Sequence, residues 1–289
     1  MRKVFVSCVL VLCVSMVGVL SACTSAKDYL KSIDMSAYDN KIDDAIPQTD
    51  ITKYVENYLN SGVGKRAILI LVDGFRANTL DLFLDYELGI ARLKNLGGLY
   101  FTKPMNIDTK SKIGVGTNMM SILTAEEPSA ISLYKSTDAK RAEPYTIMSK
   151  VAKDKKVVYL TDNYNYIDVQ LKQEFEENKN NKNLKYEYVE EFENIDDKVI
   201  ENLNNNLIVV SISGVNSSAS GKYSAKNANY INAIHNLNSM IENIWQSTRD
   251  IFGDYMIMVA STFGGEESLT QNKEAHNTTT FLACNKELL

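Results

Sequence analysis

Four short apolar runs constrain what this chain can fold into more than anything else in it: residues 67–72, 157–160, 207–210 and 256–259. None shows the in-and-out alternation of a strand with one wet face. A run apolar on every side must be covered on both faces, and that is the situation of a central strand in a parallel sheet. The stretches between have a different period. Over 78–95, Leu80, Leu82, Phe83, Tyr86, Leu88, Ile90 and Leu93 recur at helical spacing, and helices are predicted near 117–124, 144–153, 166–176 and 227–248. In the last, the apolar stripe runs through Ile234, Leu237, Ile241, Ile244 and Trp245, with His235 at its edge. Asn- and Lys-dense stretches at 175–185 and 202–206 read as surface loops. Strands alternating with helices predict an α/β domain with a mainly parallel central sheet and helices on both faces.

This domain is expected to occupy residues 65–289. Residues 23–64 are polar, as expected of a solvated tether and lead-in, although 51–61 would also suit a small helix packed on the domain. The first 22 residues have another character. Arg2 and Lys3 precede an apolar run from Val4 to Leu20, then Leu20-Ser21-Ala22-Cys23. A basic start, an apolar centre and small residues at the end mark an export signal. The four closing residues resemble the lipobox of bacterial lipoproteins. That resemblance implies cleavage before Cys23, a diacylglycerol on its sulfur, and an exported protein anchored to the bacterial membrane or cell surface. The competing reading is an uncleaved span, for which the run is marginally long enough. More than one acyl chain, at about 0.8 kcal/mol per buried methylene, makes a lasting anchor.

The other cysteines fit this scheme. Cys8 and Cys13 leave with the signal, Cys23 carries lipid, and only Cys284 is left, so the mature chain forms no internal disulfide. The whole chain has 31 basic and 36 acidic residues; removing Arg2 and Lys3 leaves 29 against 36. A net-acidic chain without a basic cluster excludes nucleic acid as a partner.

Chemistry in an open parallel sheet is sought at the carboxyl ends of the strands. Here these are Asp73, Asp162, the stretch 211–221 and the stretch 261–265. Ile70-Leu71-Val72-Asp73-Gly74-Phe75-Arg76 resembles the first motif of the type I phosphodiesterase and nucleotide pyrophosphatase branch of the alkaline phosphatase superfamily. Residues 116–125 with Pro128, the strand and helix at 207–212 and 227–244, and Ser261-Thr262-Phe263-Gly264-Gly265 are similar to later motifs in the same order. The resemblance implies an alkaline phosphatase-like fold, a two-zinc site with Asp73 as one ligand, and phosphoric ester hydrolysis.

Residue by residue, however, the chemistry of that family is missing. Its nucleophile falls on Val115, its Asp-x-x-x-His pair on Asn216 and Ser220, and its Asp-His pair on Thr262 and Phe263. Only Asp73 and His276 match metal ligands. The family site uses three histidines, whereas this chain contains two, His235 and His276. Val and Phe cannot ligate zinc, and without the metals a hydroxyl nucleophile is not activated. Thr109 and Ser111 offer other hydroxyls, but no base stands near them in sequence. The residues at 114–117 precede a helix and could cradle an anion, with Thr117 as an N-cap. Asp73 itself could serve only as a turn former.

Three readings follow. The first is a catalytically degenerate, lipid-anchored domain of this fold that needs no cofactor and binds a small-molecule or protein ligand. The second is an active phosphodiesterase or phosphohydrolase with a rearranged zinc site. The third is a structural or interaction lipoprotein without a pocket. Convergence of at least three of Asp73, Asp108, Asp162, Asn216, Glu266, Glu267 and His276 would favour the second.

Overall fold

The computed structural model describes residues 45–84, 87–103, 115–126, 145–251, 253–264 and 280–288. Cys23, Asp108, Thr109, Ser111, Glu266, Glu267 and His276, singled out in the sequence, lie outside these residues.

The apolar runs are strands of one sheet. Among the described residues it has eight strands: β1 (Ile46–Pro47), β2 (Lys65–Asp73), β3 (Gly98–Lys103), β4 (Val157–Thr161), β5 (Leu184–Tyr188), β6 (Leu207–Ile212), β7 (Asp254–Phe263) and β8 (Thr280–Cys284). Their order across the sheet is β1-β3-β8-β7-β2-β6-β4-β5. All pairings are parallel except those of β8, which runs against both β3 and β7. The four predicted runs form the centre, β7-β2-β6-β4, in the expected parallel arrangement.

Side chains on a strand alternate between the two faces of the sheet, and each face here has its own core. Ile68, Ile70 and Val72 of β2 join one cluster with Ile208, Val210, Ile257 and Val259. Ala67, Leu69 and Leu71 join the other with Val157, Tyr159, Leu207, Val209 and Met258. Full burial of each large aliphatic side chain contributes about 1.5–3 kcal/mol. A polar residue at either parity would therefore be costly, which explains why the runs have no alternation.

Helices cover both faces. Helix α1 (Ile51–Asn60), α3 (Val115–Thr124) and α4 (Ile147–Val151) supply the second cluster; α2 (Ile90–Leu96), α6 (Ile195–Glu201), α7 (Gly214–Ala219) and α8 (Ala228–Arg249) supply the first. Helix α5 (Lys172–Asn178) follows a π-helical turn at Tyr166–Gln170. Helix α1 buries Ile51, Val55 and Leu59 against the sheet.

Three local expectations are revised. The helical spacing over 78–95 is split into a 3₁₀ turn at Ala77–Leu82 and helix α2. The break is set by Gly89, whose φ of 54° is left-handed. Its amide donates to Glu242 Oε2 and the Ile90 amide to Asn238 Oδ1, so α8 supplies the acceptors that start α2. Secondly, the supposed loop over 175–185 holds the end of α5 and the start of β5. β5 is the sheet edge, and its polar residues Lys185 and Glu187 suit a strand with one unpaired side. Thirdly, Thr117 falls within the span of α3.

Candidate functional site at the strand carboxyl ends

Strands β2, β4, β6 and β7 end side by side, and their last residues build one polar cluster. At its centre is Asp73, only 2% exposed. The Thr262 hydroxyl on β7 donates to Asp73 Oδ1, and the Tyr166 hydroxyl, from the π-helical turn after β4, donates to Asp73 Oδ2. Both carboxylate oxygens are thus held by neutral donors. Burial pushes the Asp73 carboxyl up from the ordinary carboxylate range to about 7; the two hydroxyls pull the other way, and the charge of Asp162 adds to the rise. Desolvation therefore outweighs hydrogen bonding at this residue.

Asp162 serves helix α7. Its carboxylate accepts the amides of Ser213 at 2.7 Å and Gly214 at 2.6 Å, two of the donors that a helix N-terminus leaves unpaired. Burial raises its pKa, and these amides oppose the rise. Tyr159 and Ser211 lie in the same layer, both buried.

The turn after Asp73 is fixed on all sides. Gly74 has a φ of 76°, and a Cβ there would stand 2.8 Å from the Tyr223 ring and 3.0 Å from Asn216 Cα. The Tyr230 hydroxyl donates to the Gly74 carbonyl at 2.9 Å and accepts the Arg76 amide at 3.1 Å. The Ser261 hydroxyl donates to the Phe75 carbonyl at 2.6 Å. From the far side, the fully buried Gln48 amide donates to the carbonyls of Ser261 at 2.9 Å and Thr262 at 3.1 Å. The end of β7 is therefore tied both to the turn after β2 and to the chain before α1.

The sequence-derived positions can now be placed. Thr262, where the family has a metal-binding Asp, does meet Asp73, but as a hydroxyl donor. Phe263 ends β7 and is partly exposed. Asn216 lies in α7, where its Oδ1 accepts the Tyr223 hydroxyl. Ser220 follows α7 in a left-handed conformation, exposed, and donates back to the Ser217 carbonyl at 3.2 Å. Val115 opens α3. His235 lies at the edge of the stripe that α8 buries, against the Phe83 ring, with centroids 4.6 Å apart. Burial lowers its pKa. Tyr166, Gln48 and Tyr230 were not anticipated. A tyrosine hydroxyl reaching another strand has no periodic signature, and this chain has 16 tyrosines.

Among the described residues this donor set falls short of a two-zinc centre. Zinc takes Cys, His, Asp or Glu ligands. Among the described residues no three of these gather where they could hold a metal. Asp73, the one matching carboxylate, has its oxygens engaged by Thr262 and Tyr166.

No protein-family model matches the sequence, and no curated protein matches it. Solved structures do. The crystal structure of the lipoteichoic acid synthase LtaP from Listeria monocytogenes is similar at a TM-score of 0.54 and 14% identity, over 84% of this chain and 72% of that one. A protein in the alkaline phosphatase superfamily from Vibrio parahaemolyticus is similar at a TM-score of 0.51 and 10% identity, over 80% of this chain and 62% of that one. The mixed, mostly parallel sheet flanked by helices is thus an alkaline phosphatase-like fold.

Proposed function

We propose that this protein is an exported lipoprotein, held to the membrane through Cys23, whose alkaline phosphatase-like domain acts by binding and not by two-zinc phosphoryl transfer. The observation that carries the reading is the state of Asp73. In a metal site of this type, strand-end carboxylates face cations. Here Asp73 is buried and its oxygens are engaged by the hydroxyls of Thr262 and Tyr166. Without a metal pair, nothing at this position neutralises the charge that develops on a transferring phosphoryl group.

The test is metal analysis of the purified mature protein, with hydrolysis of an aryl phosphodiester measured for wild type and Asp73→Ala. Zinc well below one equivalent and no turnover above a blank are expected. Two tightly bound metals, or turnover that Asp73→Ala abolishes, would establish the rearranged hydrolase instead.

The anchor rests on Leu20 to Cys23. Among the described residues no helix is long and apolar enough to cross a membrane. Cys23→Ala is expected to leave the protein unprocessed or to release it from the membrane fraction. A variant that is cleaved normally and still membrane-bound would rule the lipid out.

A further inference from the structure

The longest acid-free stretch of this net-negative chain runs from residue 202 to 241. None of its 36 acidic residues falls between Glu201 and Glu242. That stretch carries Lys222 and Lys226 and holds β6, α7 and the first half of α8. Within it the fold forms an open cavity of about 590 Å³ between the end of α7 and the start of α8. Its walls include Ser218, Ser220, Lys222, Lys226 and the first residues of α8, Ala228 and Asn229.

Three features give this cavity one electrostatic sign. Neither lysine has a carboxylate partner among the described residues, although nine other lysines form ion pairs there. At the start of the 22-residue α8, Asn227 takes the Tyr230 amide with its side chain and the Ile231 amide with its carbonyl. The amides of Ala228 and Asn229 are left without an acceptor among the described residues. At the opposing end of α7, two of the last carbonyls are already engaged, which reduces its negative character. Ala219 accepts from the Lys222 amide and from Asn227 Nδ2, and Ser217 accepts from Ser220.

We propose that this cavity is an anion site, which takes an oxyanion group of phosphate or sulfate size between the two ammonium groups and the first amides of α8. Two cations and the amides of Ala228 and Asn229, with no acid among the described residues of the wall, suit a compact oxyanion and disfavour a cation or an apolar ligand. The residues are separate from Asp73, Thr262 and Tyr166, so the site stands whether or not Asp73 ever binds metal. Because both lysines are exposed, affinity should be modest and should fall as salt rises.

The experiment is an amide NMR titration of the mature protein with inorganic phosphate and, separately, sulfate, each against sodium chloride at matched ionic strength. Saturable shifts of the Ala228 and Asn229 amides are expected with at least one oxyanion and not with chloride. The double variant Lys222→Ala/Lys226→Ala should weaken binding by roughly tenfold or more. Lys185→Ala, on the far edge of the sheet, should not change it. Preserved peak dispersion will show that the variants are folded. The proposal is overturned if neither oxyanion gives saturable shifts at these amides, if chloride gives the same shifts, or if the double variant binds as well as wild type.

Discussion

The two ends of the sheet treat a carboxylate in opposite ways. At the amino end, Asp254 opens β7 between Lys286 at 2.6 Å and Lys65 at 2.5 Å. It is partly exposed. Burial there works against ionisation, but the two ammonium groups outweigh it and hold the carboxyl below the usual carboxylate range. At the carboxyl end, Asp73 is buried, its donors are hydroxyls, and its pKa rises to about 7. The two carboxylates lie on neighbouring strands, β7 and β2. What differs is the partner: a charged one keeps an acid ionised, whereas a neutral donor in a desolvated place leaves it near half-titrated at neutral pH. A strand end built to hold a cation would be expected to keep its carboxylates ready for one. At this strand end the donors that meet the carboxyl are two hydroxyls.

Removing the hydroxyls should break the comparison most severely. Thr262→Val with Tyr166→Phe takes both donors from Asp73 and is expected to lower the unfolding free energy at pH 8 by about 2–4 kcal/mol. The loss is capped because Asp73 can take up a proton instead. It should therefore shrink towards pH 5, where the carboxyl is neutral in the fold already. The two substitutions share one partner and should not add. Denaturant unfolding at both pH values checks this; an equal loss at each would mean that the hydroxyls do not serve the charged form.

A smaller effect is expected of Asp73→Asn, and it lies in the pH profile. The folded pKa is raised, so the folded state binds more protons than the unfolded one between the ordinary carboxylate range and about 7. Stability should therefore be greatest below that window and fall as pH rises through it. The Asn variant should lose this slope and compare best with wild type at pH 8. Melting curves from pH 5 to 8 decide it: parallel profiles would show that Asp73 does not titrate there.

The smallest effect belongs to Asp254→Asn. Its ion pairs are partly exposed, so about 1 kcal/mol or less is expected, and it should fade in high salt. The sign is the reverse of that for Asp73. A lowered folded pKa gives stability above the unfolded value that is lost on acidification. A loss that grows with salt would contradict this reading.

Much of the fold was legible because a parallel sheet writes itself into sequence. Runs such as 67–72 and 207–210 are apolar at every position since both faces are covered, and only a central strand meets that condition. The strands outside these four lack such a signal. β5 reads as Asn- and Lys-rich loop because one side faces water, and β3 and β8 are recognisable only through their pairing with each other. Helix α2 could not be separated from the 3₁₀ turn before it, because the acceptors that start it, Asn238 and Glu242, sit about 150 residues later.

The sequence by itself determined the α/β class, the four central strands and the place of Asp73 at a strand end. Each of these depends on residue type or local period. Only the tertiary structure decided that Tyr166 reaches Asp73 across 93 residues, that Gln48 ties β7 to the chain before α1, that Asp162 caps α7, and that Lys222 and Lys226 line one cavity. These are contacts between single polar side chains on distant elements. Such a contact is specified by how two surfaces meet once the core has packed, and a hydroxyl or an ammonium leaves no periodic trace of the partner it will find.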